Sequence, residues 1–416
     1  MSIPSTPATI TTRCCVVGGG PAGMMLGYLL ARAGIEVTVL EKHGDFFRDF
    51  RGDTIHPSTM ELMHELELLE DFLKQPHQKV EKLELDFEGT TVIGPDFTHL
   101  PVRCRYIAFM PQWDFLNFLA GHAKRLPAFH LKMKAEVTGL IEENGRVAGV
   151  VAKTDEGELN VRADFVFAAD GRSSTVRKLA GMEVEDFGVP IDVLWFRLTK
   201  PKNETTHFLG RVRNGNAMVT IDRGDYYQAG SIIPKGAFEQ IKKDGLAAFQ
   251  ERIATIVPSV RETVKKLDSW DKVKLLTVQI NRLHRWHRPG LLCIGDSAHA
   301  MSPAGGVGIN LAIQDAVAAA NILAARILRG TCTTDDLGLV QKRREWAVKM
   351  TQGLQVIIHK NMFRKNSGTA NAIDIPWPAR KALGLFAPLL RRVAARIIGI
   401  GFRAEHIHSP DNTAVH

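Results

Sequence analysis

Cys14-Cys15-Val16-Val17-Gly18-Gly19-Gly20-Pro21-Ala22-Gly23 runs from an apolar strand into a glycine-rich corner, and the residues after it, Met24 to Ala33, read as a helix. A second β-type run, Glu36 to Leu40, follows and ends at Glu41, with Lys42 beside it. Strand, turn, helix, strand and acid is the order of a dinucleotide-binding unit. Each glycine has its own task. Gly18 allows the sharp turn, Gly20 lets the backbone approach a pyrophosphate, and Gly23 lets the helix pack on the sheet. Pro21 and Ala22 open the helix, whose free N–H groups and dipole favour phosphate at that end. Glu41 stands where a ribose-binding acid belongs. The ligand implied is a dinucleotide.

At 416 residues the chain has room for two domains, or one large domain with insertions. An apolar content of 45% and a charged content of 24% are ordinary for a soluble globular protein. The cysteines (Cys14, Cys15, Cys104, Cys293, Cys332) form no CxxC pair and no metal-ligand spacing. Three of them lie in apolar runs, which points to buried reduced thiols, no metal centre and a cytoplasmic location. The polar first dozen residues lack the apolar core of a signal peptide, and no apolar stretch is long enough to span a bilayer. The net charge of +8 is unevenly placed: residues 341–416 hold 13 of the 53 basic and 4 of the 45 acidic side chains, the whole excess. A solvated basic face, steering of an anionic nicotinamide cofactor or substrate, and contact with an anionic membrane surface all fit that bias. No helix-turn-helix, RNA-binding or zinc-finger pattern is present, so nucleic acid is not an expected partner.

Hydrophobic periodicity places a helix from about Ser58 to Lys74, with Leu62, Leu66, Leu69 and Leu73 on one face. Short strands follow over 80–110, a helix opens at Pro111-Gln112, and residues 135–169 read as a β-meander ending in Asp170-Gly171-Arg172. From about 189 to 283, strand-like pieces flank a helical stretch, Gly236 to Ile256. A buried strand then returns at Leu291 to Gly295, before Asp296, the turn Gly305-Gly306-Val307-Gly308 and an Ala-rich helix from Asn310 to Leu328. The expected architecture is an α/β, Rossmann-like dinucleotide-binding domain in three parts (1–79, 111–188 and 284–330). Substrate-domain strands (80–110), an inserted α+β substrate domain (189–283) and a helical basic C-terminal segment (331–416) complete it, with a loop near Asn366 to Pro378.

The fingerprint with Glu41, the Asp170-Gly171 pair, and Gly295-Asp296 with its glycine turn occur together and in order. This combination resembles the class A flavoprotein monooxygenases, the p-hydroxybenzoate hydroxylase-like family, over roughly residues 12–330. The resemblance implies that Gly18, Gly20 and Gly23 form the pyrophosphate turn of FAD and that Glu41 meets the adenosine ribose. It places Arg51 and Gln112 along the pyrophosphate and ribityl chain, a backbone group of Val137 at the adenine, and Asp296 at a ribityl hydroxyl. Asp170-Gly171-Arg172 matches the motif shared between FAD and nicotinamide nucleotide use. Gly306, Gly308, Ile309 and Asn310 would then bring main chain and a helix N-terminus to the flavin ring, where positive dipole favours the reduced, anionic flavin.

The implied reaction uses NADPH or NADH to reduce FAD; dioxygen then gives a flavin C4a-hydroperoxide that hydroxylates a small aromatic or polyketide-like substrate. Pro303 and Gly305, in Ser302-Pro303-Ala304-Gly305, would line the flavin face where oxygen reacts. Candidate bases for a phenolic substrate are His56 and, on an inserted strand, Tyr226 or Tyr227. Neighbouring strand residues face opposite ways, so at most one of the tyrosines enters the pocket. Arg197 and Arg211 could hold a substrate carboxylate or stay on the surface, and His299 is read as packing behind the flavin turn. A flavin-dependent reductase or halogenase of the same fold is the alternative, as is a non-catalytic flavin-bound regulator. The C-terminal stretch from Leu385 to Ile400 mixes apolar residues with arginine, which suits a membrane surface, packing over the domain or a dimer contact; monomer and homodimer both remain open.

Overall fold

The computed structural model describes residues 7–47, 54–201, 209–364 and 377–413. Its α-helices of seven residues or more are α1 (Pro21–Arg32), α2 (Pro57–Glu65), α3 (Gln112–Ala123), α4 (Phe238–Asp244), α5 (Leu246–Ile256), α6 (Gly308–Leu328), α7 (Thr334–Arg364) and α8 (Trp377–Gly399). The fold is mixed α/β, built on two large sheets.

The strand Ala8–Val17 lies at the centre of an eight-stranded sheet, parallel to Val37–Leu40 on one side and to Gly157–Ala168 on the other. Phe129–Lys132 and Leu291–Cys293 extend it outward, again in parallel. Parallel neighbours need a crossover, which α1 supplies between the first two strands. Cys14–Val17 and Val37–Leu40 are wholly buried, as continuous apolar runs in a covered parallel sheet must be. On this sheet α1 packs against both α3 and α6. Burial pushes the Cys15 thiol up to about 12, so it stays a protonated packing group.

A second sheet has seven strands in the order Lys274–Thr277, Ile191–Thr199, Tyr226–Pro234, Asn216–Asp222, Gly210–Arg213, Lys82–Phe87, Thr90–Asp96. Strands from both sides of residues 111–188 therefore share one sheet. One face carries Leu194, Phe196, Leu198, Met218 and Tyr227, packed under Phe249 and Ile253 of α5. The other carries Val193, Trp195 and Ile232, against which Val356 of α7 packs.

Two expected helices are broken. The helix expected over 58–74 stops at Glu65 and restarts as a short turn at Leu69–Leu73. Glu67 sits in the left-handed region, φ 61°, and Leu68 N–H bonds back to Met63 O, a C-terminal cap made without glycine. The apolar spacing runs through the break and hides it. Gly245, φ 95°, likewise divides Gly236–Ile256 into α4 and α5. Most of the expected loop near 366–378 lies outside the described residues; its last two residues, Trp377 and Pro378, open α8.

Candidate cofactor and active site

The corner after the first strand leaves room only for glycine at two positions. A Cβ on Gly18 would lie 2.4 Å from Ala169 O, and one on Gly23 would lie 1.9 Å from Gly18 O. Gly20 differs: nothing lies within 4 Å of its would-be Cβ, so its open side faces unfilled space. No side chain caps α1, whose first position is Pro21, so the N–H groups of Ala22 and Gly23 remain available to an anion. Glu41, at the end of the second strand, accepts from Gly19 N–H (2.9 Å) and His43 N–H (3.0 Å), which fixes its carboxylate beside the corner. Lys42 is exposed next to it. Val137 lies two residues after Ala135, whose N–H bonds Glu41 O, so that strand borders the same edge. Gln112 opens α3 just after the strand Ile107–Phe109, which pairs with Thr54–Ile55. Arg51 lies outside the described residues.

The second turn meets the first at Gly295. A Cβ there would be 3.2 Å from Cβ of both Ala22 on α1 and Ala312 on α6. Asp296, next in line, receives Arg172 Nη2 at 3.3 Å. The Nε and Nη1 donors of Arg172 are buried with no partner among the described residues. Unpaired buried donors are costly, so an acceptor-rich ligand suits this spot. Asp170 itself is occupied: it accepts from Val176 N–H (3.1 Å) and Ser297 Oγ (3.2 Å), clipping the strand end to the 295–297 turn.

Gly305 and Gly306 have φ of 81° and 64°, and a Cβ on Gly306 would meet Thr54 Oγ1 at 2.4 Å. Asn310 holds this turn by its side chain. Its Oδ1 accepts from His56 N–H (3.0 Å) and Thr59 Oγ1 (2.7 Å), while Nδ2 donates to Thr54 O (3.3 Å) and Gly306 O (3.4 Å). That leaves its backbone, with Gly308 and Ile309, as the part free for a ligand, because no side chain caps α6. Two uncapped helix N-termini thus flank one region.

Side chains from α7, unsuspected in the sequence, hold the loop between these turns. Gln355 accepts from Ser302 N–H and donates to Ser302 O and Ala304 O, each at 3.0 Å. His359 Nε2 is 2.7 Å from Ser302 Oγ, which also accepts from Ala304 N–H (3.2 Å). Gln352 donates to Asn281 O (2.8 Å) and Ala300 O (3.0 Å). These three polar residues, at i, i+3 and i+7, share one helix face. A buried polar face on a helix was the available signal. Pro303 and Gly305 are therefore set by α7 as much as by their own turn.

Behind them lies a buried charge chain. His299 Nε2 is 2.5 Å from Asp315 Oδ2, Gly295 N–H donates to the same oxygen (3.0 Å), and Arg344 Nε reaches Oδ1 (3.1 Å). Arg344 continues to Glu405 at 3.2 Å. Burial alone would push the Asp315 carboxyl up; the His299 and Arg344 charges and hydrogen bonds outweigh it and hold the pKa below the usual range. Trp286 packs on the His299 ring at 4.9 Å between centroids.

The base candidates fare differently. His56 is fully buried; its Nδ1 donates to Ile398 O (2.7 Å) on α8, and burial holds its pKa down to about 4, so the ring is neutral. Tyr227 lies among Leu198, Phe196 and Phe249 in the core under α5, on the sheet face away from α7. The structure does not bring it to the 302–306 turn. Tyr226 takes the opposite face, with Arg197 4.6 Å above its ring. Arg211 is buried 3.9 Å from Asp86. Its strand partner Met218 puts it on the α5 side, which removes it as a substrate-carboxylate partner. The face toward α7 is apolar around Trp195, whose ring is 3.1 Å from a would-be Gly230 Cβ, and carries Arg197 and Gln228 further along.

A family profile described as FAD binding domain matches residues 11–352. The 6-methylpretetramide 4-monooxygenase of Streptomyces rimosus is 36% identical over 387 residues, 92% of either chain. The chain belongs to the FAD-dependent aromatic monooxygenase family. Two solved structures share this monooxygenase fold at a TM-score of 0.74. One is p-nitrophenol 4-monooxygenase from Pseudomonas putida DLL-E4, 20% identical, covering 94% of this chain and 97% of that one. The other is a myxobacterial chondrochloren halogenase, 19% identical, covering 94% and 93%. FAD is thus the dinucleotide of this monooxygenase, and the corner at Gly18–Gly23 has the open side that it needs.

Proposed function

We propose that this monooxygenase takes electrons from NADPH or NADH and uses dioxygen to hydroxylate a planar, multi-ring aromatic substrate of polyketide type. What supports the reading most is the relative that is 36% identical over 92% of the chain, a 4-monooxygenase of 6-methylpretetramide. The apolar patch around Trp195 and Ile232, both only partly buried, agrees: it offers flat contact area, with Arg197 and Gln228 next along the same face.

FAD supplies the redox and oxygen-activating chemistry when bound; the residues place and shield it. Gly18, Gly20, Pro21, Ala22 and Gly23 would hold the pyrophosphate, Glu41 and Lys42 the adenosine side, and Val137 the adenine edge. Arg51, Gln112 and Asp296 would follow the chain to the ring, Asp296 steadied by Arg172. Gly308, Ile309 and Asn310 would present N–H groups and the α6 dipole where negative charge collects on reduction, while Gly306, whose own N–H bonds Pro303 O, would bring main chain close to the ring. Asp170 acts as the clip that sets Asp296 in place. Pro303 and Gly305 would exclude water above the ring, fixed by Gln355. No base is assigned: His56 and Tyr227 are both buried among other partners, and the Tyr226 ring lies against Arg197.

The test is NAD(P)H consumption with reconstituted protein against polycyclic phenols, with labelled dioxygen and mass detection of product. We expect one labelled oxygen in the product. Halide incorporation, or alkene reduction without oxygen uptake, would replace the hydroxylase reading with the halogenase or reductase one.

A further inference from the structure

The last two helices, α7 and α8, each leave an apolar stripe in solvent. On α8, Phe386, Leu389, Leu390 and Val393 are 55%, 57%, 53% and 47% exposed, at helical spacing along one side. The opposite side is anchored. Ala395 and Ile398 pack with Leu83, Phe97 and Leu100, and a Cβ on Gly399 would be 2.8 Å from Leu100 Cδ1. The rotation of α8 is therefore fixed, and its outward stripe is a property of the fold. On α7, Met350, Leu354, Ile357 and Ile358 form a second exposed row.

Charge accompanies the stripes. Between residues 357 and 396 there are eight Lys and Arg against one acid, Asp374. Arg392 and Arg396 are exposed on α8 beside the stripe, with Arg391 half-buried. A second copy of this chain is a poor occupant, because a two-fold contact would set the same basic patch against itself. An anionic surface is complementary in charge and apolar demand. A convex helix with an apolar crown and an arginine rim matches a plane of headgroups better than a groove on a protein. Among the described residues, the one helix apolar and long enough to cross a bilayer, Ala304–Leu328, is 72% buried in its most apolar window, so attachment would be on the surface.

We propose that α8 docks this protein onto an anionic phospholipid bilayer, with Phe386, Leu389, Leu390 and Val393 entering the headgroup layer. The proposal rests on this helix alone and stands whatever substrate the enzyme takes. The experiment is flotation of the FAD-loaded full chain with phosphatidylglycerol-containing and pure phosphatidylcholine vesicles. The protein is expected to float with the anionic vesicles at about 0.05 M salt and to be released at about 0.5 M, where the screening length is several-fold shorter. Leu389→Gln with Leu390→Gln, and separately Arg391→Gln with Arg392→Gln, should each cut partitioning by about tenfold or more. All four sites lie outside the core, so melting temperature and flavin absorbance should not change. Failure to float at low salt, equal binding to neutral vesicles, or undiminished binding of both variants would overturn the proposal. So would a species of twice the chain mass by light scattering that collapses on Leu389→Gln with Leu390→Gln, since the stripe would then belong to a second copy.

Discussion

Gly20 and Gly23 stand three residues apart and answer to different constraints. Gly23 is required by packing, because its Cβ would overlap Gly18 O; Gly20 meets nothing. Gly20→Ala should therefore leave the stability of the flavin-free protein within about 0.5 kcal/mol of the parent, as for an unhindered surface site. It should still weaken FAD by about tenfold or more, since a methyl group would stand where the pyrophosphate approaches. Denaturant melts and a flavin fluorescence titration measure the two separately; equal FAD affinity would remove the corner from the cofactor site. His56 raises a different question at the same scale. Its ring is kept neutral by burial, down to about 4, whereas in the unfolded chain it takes a proton below its ordinary value near 6.5. The unfolded state then binds more protons in that window, and folding stability falls as pH drops from about 6.5 to about 4, by up to about 3 kcal/mol. His56→Asn, whose amide can still donate to Ile398 O, should flatten that limb in melts between those pH values and keep substrate-dependent turnover.

Helix α7 shows what an element adds that its residues alone would not announce. Gln355 satisfies three backbone groups of Ser302 and Ala304, which lie in a bend where no strand can pair them. Gln355→Leu would leave the N–H and C=O of Ser302 buried and unmade, at a cost of about 1–3 kcal/mol each before relaxation, and the part-buried Ala304 O without this donor. We expect the loop to loosen, with more hydrogen peroxide per NAD(P)H consumed and a shifted flavin absorbance band; Gln355→Met of similar shape should behave alike. An unchanged peroxide ratio and spectrum in folded variants would show that the loop holds without α7. The corner, the 295–310 turn and the parallel core were legible in the sequence, because positive φ and burial leave glycine and apolar runs few substitutes. The partners of the turn were not. Gln352, Gln355 and His359 read as polar residues of a basic helix, since a hydrogen bond across more than fifty residues leaves no local pattern. Glu67 hid a helix end for a related reason: its strained φ breaks the helix while Leu62, Leu66 and Phe72 keep the spacing of a continuous buried face.

Across the whole molecule, the C-terminal tail closes what the N-terminal corner begins. Asp411 pairs with Arg32 on α1 at 2.5 Å, Ile407 N–H bonds Glu65 on α2 (2.8 Å), and Asn321 on α6 donates to His406 O (2.7 Å). Glu405 pairs with Arg343 and Arg344, so the charge chain from His299 through Asp315 ends in the tail. Such a buried chain is costly to form and costlier to break, because removing one member strands a charge in low dielectric. Glu405→Leu should destabilise by about 3–5 kcal/mol, and Glu405→Gln by less, because it keeps an acceptor for Arg344. Asp315 gives the acid signature of the intact chain. Its folded pKa lies below the unfolded value, so its contribution is whole above about pH 4 and is lost as pH falls through the folded value. Glu405→Leu removes part of the field around Arg344 and tests whether the chain acts as one unit. If it does, the variant loses flavin retention on gel filtration together with stability, because Gly295 N–H hangs on the same Asp315 oxygen that His299 holds. Stability lost with flavin fully retained would mean that the tail only staples the surface and that the turn at Gly295 is held by α1 and α6 alone.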